Sequence, residues 1–333
     1  MSVSKFLKKI FDFFRKQKIG GCAGGQKVRV IGVAMVKNEA DIIELFIKIN
    51  SRFFHEIHIL DHRSTDYTAK IIKSMQDLGY PVKYILLENE SGDYNQAEIT
   101  TSYVQKVARE VECDYIMPID ADEFPHLNPN QSLNKTLGDA TRESGYCLIP
   151  WVTYCPINDG YLKGPAPLYE NFRARSAEPS QYYKVILTRN LGRTAKLCTG
   201  NHDIAGTNLV KPKKIKAILQ HVPVRSAEQI ISKAIIGSAA LKLTKNHKKG
   251  ETFHWDEMAK KITEKGMKLS YEDVLEIALN YAKLNDRKPA SKIAVLTTCP
   301  RIGTAHDTID LKDLAEIDAQ KNIEEFRRAT SHR

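Results

Sequence analysis

Residues 28–66 read VRVIGVAMVKNEADIIELFIKINSRFFHEIHILDHRSTD, and this stretch decides the fold. The run from Val28 to Val36 is short, apolar and β-branched, which suits a strand buried on both faces. ADIIELFIKINSRF, from Ala40, carries its apolar residues at helical spacing, and EIHILD, ending on Asp61, reads as a second strand. Outward from there the alternation continues: TAKIIKSMQDLG from Thr68, VKYILLE from Val82, a helical stretch from Ala97 to Val111, then DYIMPID ending on Asp120. Strand, helix, strand in this order predicts an α/β fold, a mostly parallel sheet with helices on both faces. Such sheets bind ligands at the carboxyl ends of their strands.

The polar residues collect at those ends. Lys37, Asn38 and Glu39 follow the first strand, Asp61, His62, Arg63, Ser64, Thr65 and Asp66 the second, and Asp120, Asp122 and Glu123 the fourth. Taken singly, Asp66 or Thr65 also reads as a helix N-cap and Asn38 as a turn residue. The pair Asp120-Ala-Asp122 is more telling. Two carboxylates one residue apart, directly after the buried run Tyr115-Ile-Met-Pro-Ile119, repel each other unless a cation sits between them. Oxygen ligands of this kind suit Mg²⁺ or Mn²⁺, which keep substrate phosphates in their shell.

Composition narrows the partners. The chain has 333 residues, 42% of them hydrophobic, and 50 Lys+Arg against 40 Asp+Glu give a net charge of +10, which favours anionic partners. Nucleic acid is not among those expected, because the basic stretches lack interleaved stacking aromatics. The six cysteines, Cys22, Cys113, Cys147, Cys155, Cys198 and Cys299, form no C-x-x-C pair and point to a reducing compartment. No apolar run reaches the roughly 18 to 20 residues of a membrane span, and no secretory signal opens the chain. Residues 1–19 predict an amphipathic helix. Phe6, Leu7, Ile10, Phe11, Phe13 and Phe14 share an arc of roughly 160°, with lysines and arginine opposite. The Gly-rich segment 20–26 reads as a linker. The helix either packs on a domain or lies on an anionic membrane surface. The expected location is cytoplasmic, peripherally associated with the inner face of the membrane.

Three motifs together resemble glycosyltransferase family 2, of the GT-A (Rossmann-like) fold, in its bacterial branch. They are Val36-Lys37-Asn38-Glu39 running to Phe46, Asp61-His-Arg-Ser64-Thr65-Asp66-Tyr-Thr68, and Asp120-Ala-Asp122-Glu123-Phe124. Leu219-Gln-His221-Val-Pro-Val-Arg225-Ser226 follows, ahead of a basic helix carrying Lys233. The resemblance implies an inverting, metal-dependent transfer of a hexose-type sugar from a nucleotide-sugar, a UDP-sugar being the expected donor. The acceptor it implies is a glycan or lipid-linked molecule of bacterial surface polysaccharide or lipopolysaccharide synthesis. It also implies that Asp120 meets the ribose and the Mn²⁺ or Mg²⁺ ion, that Asp122 ligates the metal directly, and that Asp61 contacts the nucleoside. Lys37, Asn38, Glu39, Arg63, Ser64, Gln96, Arg225 and Lys233 are expected around the nucleotide-sugar. Arg63 stands where the family's turn usually has a small residue, which leaves the base contact open.

The second half is less regular. Trp151, Tyr154, Tyr161, Tyr169 and Phe172 lie among Pro and Gly, as an acceptor cleft or as ordinary packing. Lys216 to Val222 reads as a strand ending on His221, which either completes the metal shell or is structural, while Arg225 is placed to meet phosphate oxygens. Asp203, in the Gly200-Asn-His202-Asp203 turn, is the expected catalytic base, with His202 its competitor. Residues 27–225 are expected to form the transferase domain and 226–333 a C-terminal helical region, in which KLTKNHKK (242–249) is a solvated helix end or a landing patch for an anionic acceptor. The rival reading is a nucleotidyltransferase on a similar sheet. It needs a Gly-rich phosphate loop after the first strand, and none is there.

Overall fold

The computed structural model describes residues 28–88, 96–127, 131–156, 174–176, 182–206, 210–243, 253–281 and 296–298. All of them belong to one compact unit, Met1–Gly303. The amphipathic segment 1–19, the linker 20–26, Tyr161, Tyr169, Phe172 and residues 244–249 of the basic run lie outside the described residues.

The first half follows the expected alternation: β1 (Val30–Val36), α1 (Ile43–Asn50), β2 (Glu56–Asp61), α2 (Thr68–Asp77), β3 (Val82–Leu86), α3 (Gln96–Glu110) and β4 (Tyr115–Pro118). β1 lies between β2 and β4, parallel to both, and β3 is parallel to β2 on the outside. All seven residues of β1 are buried because alternate side chains enter two different cores. Val30, Ala34 and Val36 join Phe46, Ile57, Ile72 and Met117 on one face, while Ile31, Val33 and Met35 join Val104, Val107 and Ile116 on the other. Gly32 is closely packed: a Cβ there would meet the Phe54 ring at 3.1 Å.

The second half changes direction. β5 (Glu123–Leu127), α4 (Leu133–Thr141), β6 (Tyr146–Cys155), β7 (Ala174–Ser176) and β8 (Tyr183–Thr188) follow. Then come α5 (Arg189–Gly192), β9 (Lys196–Leu197), β10 (Ile204–Ala205), β11 (Lys213–Lys214) and β12 (Ala217–His221). The chain continues through α6 (Ala227–Leu243), α7 (Phe253–Glu264), α8 (Tyr271–Asn280) and β13 (Leu296–Thr298). The main path of the large sheet is β13-β7-β6-β8-β4-β1-β2-β3, with β11 and β12 also on β6. β8 is antiparallel to both β4 and β6, so the parallel half continues into an antiparallel one and the sheet is mixed. β12 runs antiparallel to β5 and parallel to β6. That bridge places His221 opposite Glu123, beside the turn that ends β4. A small third core of Cys155, Val224, Ala227, Ile230, Val274 and Ala278 seats α6 and α8 on this side. Ser270 and Asp273 form a capping box that starts α8. No helix among the described residues is long and apolar enough to cross a membrane.

Candidate active site

The loops after β1 and β2 are locked to each other. Asn38 Oδ1 accepts from the Thr65 amide at 2.8 Å, and the Asn38 amide donates to Ser64 Oγ at 3.0 Å. The amides of Glu39 and Ala40 donate to Thr68 Oγ1 and Asp66 Oδ2. Asn38 and Arg63 both hold a left-handed backbone, at φ 56° and 55°, a conformation that persists only where the surroundings over-determine it. Asp61 is buried. It accepts from the Ser64 amide at 2.8 Å through one oxygen and from the Tyr84 hydroxyl at 2.9 Å through the other. Burial and that carboxylate push Tyr84 up to about 12. Lys37 Nζ lies 3.5 Å from His62 Nδ1. Asn38, Ser64 and Asp66, which read as candidate ligand contacts or caps, thus tie one loop to the next.

At the β4 edge the acidic residues divide between two sets of cations. Asp122 is buried, and Lys233 Nζ and Arg225 Nη1 lie 3.3 and 3.5 Å from its Oδ2. Its Oδ1 lies 3.7 Å from His221 Nε2. Burial alone would raise this carboxyl, but Lys233 and Arg225 hold it well below the usual carboxylate range. Arg225 has a 3% exposed side chain and grips Asp41 with two nitrogens, at 2.6 and 3.0 Å, while Nη2 also reaches Glu39 at 2.6 Å. Arg225 therefore holds protein carboxylates here, where the sequence led us to expect phosphate oxygens. Lys233 sits between Glu39 and Asp122 and keeps 29% of its side chain exposed. Asp120 belongs to the other set: Oδ2 is 2.5 Å from the buried ammonium of Lys184, and Oδ1 receives Gln96 Nε2 at 3.3 Å. Of the expected trio, Asp122 and His221 face each other, while Asp120 is paired with Lys184. Among the described residues no group of three or more His, Cys, Asp or Glu side chains is arranged as a metal site.

An aromatic wall adjoins this edge. The Trp151 ring lies 3.8 Å from that of His221 and 5.3 Å from that of His202. Tyr182 packs against both Trp151 and His202, and Tyr281 against His221. Burial pushes the His221 imidazole well below its ordinary value, and its Nδ1 is buried with no hydrogen-bond partner. His202 Nδ1 meets the Tyr183 carbonyl at 2.8 Å. Burial first, then the Lys184 charge, lowers His202 to about 4. Gly200, at φ +73°, leaves the imidazole its room, since a Cβ there would come within 2.6 Å of His202 Nε2. Asp203 is placed differently: its Oδ1 accepts from the Ile204 amide at 2.8 Å and lies 3.4 Å from the Tyr146 hydroxyl. Sequence reasoning missed Asp41, Tyr84, Lys184 and Tyr281. Of these, only Lys184 carried a signal, a charge at the head of an otherwise apolar strand.

The sheet thus carries a polar carboxyl edge, an ion network and an aromatic wall side by side. Residues 33–181, a little under half of the chain, match the model of Glycosyl transferase family 2. No curated protein matches the sequence. Three solved structures show distant likeness. HddC from Yersinia pseudotuberculosis is 10% identical over 61% of this chain and 96% of that one, with a TM-score of 0.36. The mannosyltransferase PcManGT from Pyrobaculum calidifontis, in complex with GDP-Man and Mn²⁺, is 15% identical over 43% of each chain, at 0.27. Glucosyl-3-phosphoglycerate synthase from Mycobacterium tuberculosis, in complex with Mn²⁺, UDP and phosphoglyceric acid, is 16% identical over 49% of this chain and 57% of that one, at 0.26. Likeness this distant bears on neither donor nor acceptor.

Proposed function

We propose that the protein is a metal-dependent, inverting glycosyltransferase that moves a sugar from a nucleoside diphosphate sugar to a hydroxyl of a glycan or lipid-linked acceptor. The observation that carries this reading is Asp122. Its Oδ2 is held by Lys233 and Arg225, while its Oδ1 faces a neutral His221 across 3.7 Å. That gap is too long for a hydrogen bond and suits two ligands of one ion. An ionised carboxylate and an uncharged imidazole also make a donor set that Mn²⁺ accepts. Asp122 and His221 would hold the ion, which supplies compensation for charge on a departing diphosphate.

The protein's own groups do the rest. Lys233, the most exposed cation of the network, faces the diphosphate and neutralises charge that grows as the glycosidic bond breaks. Asp61 and Asp120, at the ends of β2 and β4, lie on the nucleoside side. Trp151, beside His221, gives the sugar an apolar face, and its buried Nε1 has no hydrogen-bond partner. His202 is the better-placed base for the acceptor hydroxyl, because Asp203 is engaged with its own turn and with Tyr146. A thermal-shift screen of nucleoside diphosphates with Mn²⁺ tests the reading. One of them should raise the melting temperature by roughly 2 to 5 °C in the wild type, and Asp122→Asn should remove the Mn²⁺-dependent part. A shift equally large in Asp122→Asn would move the ion elsewhere, and no shift with any nucleotide would defeat the reading.

A further inference from the structure

Lys184 lies in β8, opposite Ile149 of β6, with a side chain that is 0% exposed. Its ammonium is 2.5 Å from Asp120 Oδ2 and 3.3 Å from Glu123 Oε1. Glu123 is also fully buried, and its Oε2 accepts from the Asp120 amide at 2.9 Å. Asn50, from α1, donates to the Glu123 carbonyl at 3.0 Å and fixes the start of β5. Lysine, two acids and the turn between them thus form one cluster at the sheet edge, in which Asp120 keeps 30% of its side chain exposed. A buried ammonium costs several kcal/mol unless opposite charge surrounds it, so the acids and the lysine hold one another in place. Asp122, two residues on, is held by other cations and faces His221.

We propose that Lys184 is a positioning residue, a tethered cation that keeps Asp120 and Glu123 out of the coordination of the divalent ion. Asp122 and His221 are then the protein's ligands, and Asp120 is left to the nucleoside. The inference rests on the metal-dependent reading of this site. It differs from that reading in assigning the first aspartate of the pair to a lysine, and in giving a fully buried charge a task. A lysine that merely stabilised the sheet would, when removed, weaken ion binding or leave it unchanged. A competing cation predicts the opposite sign.

The test is a double-mutant cycle between Lys184 and Asp120, read as the Kd of the nucleotide-free protein for Mn²⁺, from the electron paramagnetic resonance signal of the free ion. Lys184→Met should tighten Mn²⁺ binding about tenfold, because the part-exposed Asp120 loses its competitor. Asp120→Asn in the wild-type background should change the Kd less than about threefold, and in the Lys184→Met background it should remove most of the gain. Lys184→Arg, which keeps the charge, should stay near wild type. The proposal is overturned if Lys184→Met, folded by circular dichroism, binds Mn²⁺ no more tightly than wild type, or if Asp120→Asn alone abolishes binding. Should Lys184→Met fail to fold, Asp120→Asn alone decides, since near-wild-type binding supports the assignment and loss overturns it. A wild-type protein that binds no Mn²⁺, with or without nucleoside diphosphate, would instead defeat the metal reading, a result distinct from binding without coupling.

Discussion

His202 and Asp203 are neighbours with different surroundings. The imidazole sits between Trp151 and Tyr182, near the Lys184 charge, with Nδ1 at the Tyr183 carbonyl. The carboxylate is spent on Ile204 and Tyr146. From sequence, Asp203 was the expected base because a carboxylate follows the Asp-x-Asp at that distance in the family it resembles. The different surroundings support our proposal of His202 instead. His202→Gln should lower turnover by roughly 10² to 10⁴ with donor affinity little changed, and Asp203→Asn should lower it less than tenfold. The base must be unprotonated, so turnover is present above the His202 value of about 4 and falls as pH drops through it. Steady-state rates of the two variants across pH 4 to 8 decide it, and a collapse confined to Asp203→Asn would restore the carboxylate to the role.

At the scale of elements, the ion network is a joint between the start of the chain's sheet and its late helices. Arg225, just ahead of α6, binds Asp41, just ahead of α1, while Lys233 within α6 reaches Glu39. Arg225→Met would take one partner from the part-buried Glu39 and the exposed Asp41, and should cost about 2 kcal/mol in a urea titration. Arg225→Lys should recover only part of that, since an ammonium cannot make the two-nitrogen grip on Asp41. A loss under about 1 kcal/mol for Arg225→Met would mean that the joint contributes little. The first half of these elements was legible because each strand is an unbroken apolar run and each helix repeats its apolar positions; β1 to β4 appear where those patterns end. The antiparallel half was not, because β9, β10 and β11 are two-residue strands with no period to read. The candidate site divides in the same way. Asp61, Asp120 and Asp122 stand at strand ends and could be named, whereas Asp41 meets Arg225 across 184 residues, a pairing that only tertiary structure sets. Lys184 looks like a solvent-facing residue at the head of a strand until β6 and β4 close over it.

For the molecule as a whole, the cost of this edge should appear as acid sensitivity. His202 is lowered to about 4 and His221 well below its ordinary value, chiefly by burial, whereas each titrates near 6.5 in the unfolded chain. Below about pH 6.5 the unfolded chain binds protons that the folded protein refuses, so stability is fully present above that pH and falls as pH drops toward the folded values. His202 alone should account for about 1 to 2 kcal/mol by pH 5, and His221 acts in the same direction. Asp122 works at lower pH. Its carboxyl is held down by Lys233 and Arg225, so its contribution persists through this window and is lost only below the ordinary carboxylate range. Glu39 and Glu123, raised chiefly by burial, act in the opposite sense, so the share of His202 is read by difference: in urea titrations from pH 8 to pH 5, His202→Gln should show a shallower decline in midpoint than wild type. Equal declines in the two proteins would mean that His202 takes up its proton in the folded state as readily as in the unfolded one, and the aromatic wall would then have to be more open to water than its packing against Trp151 and Tyr182 implies.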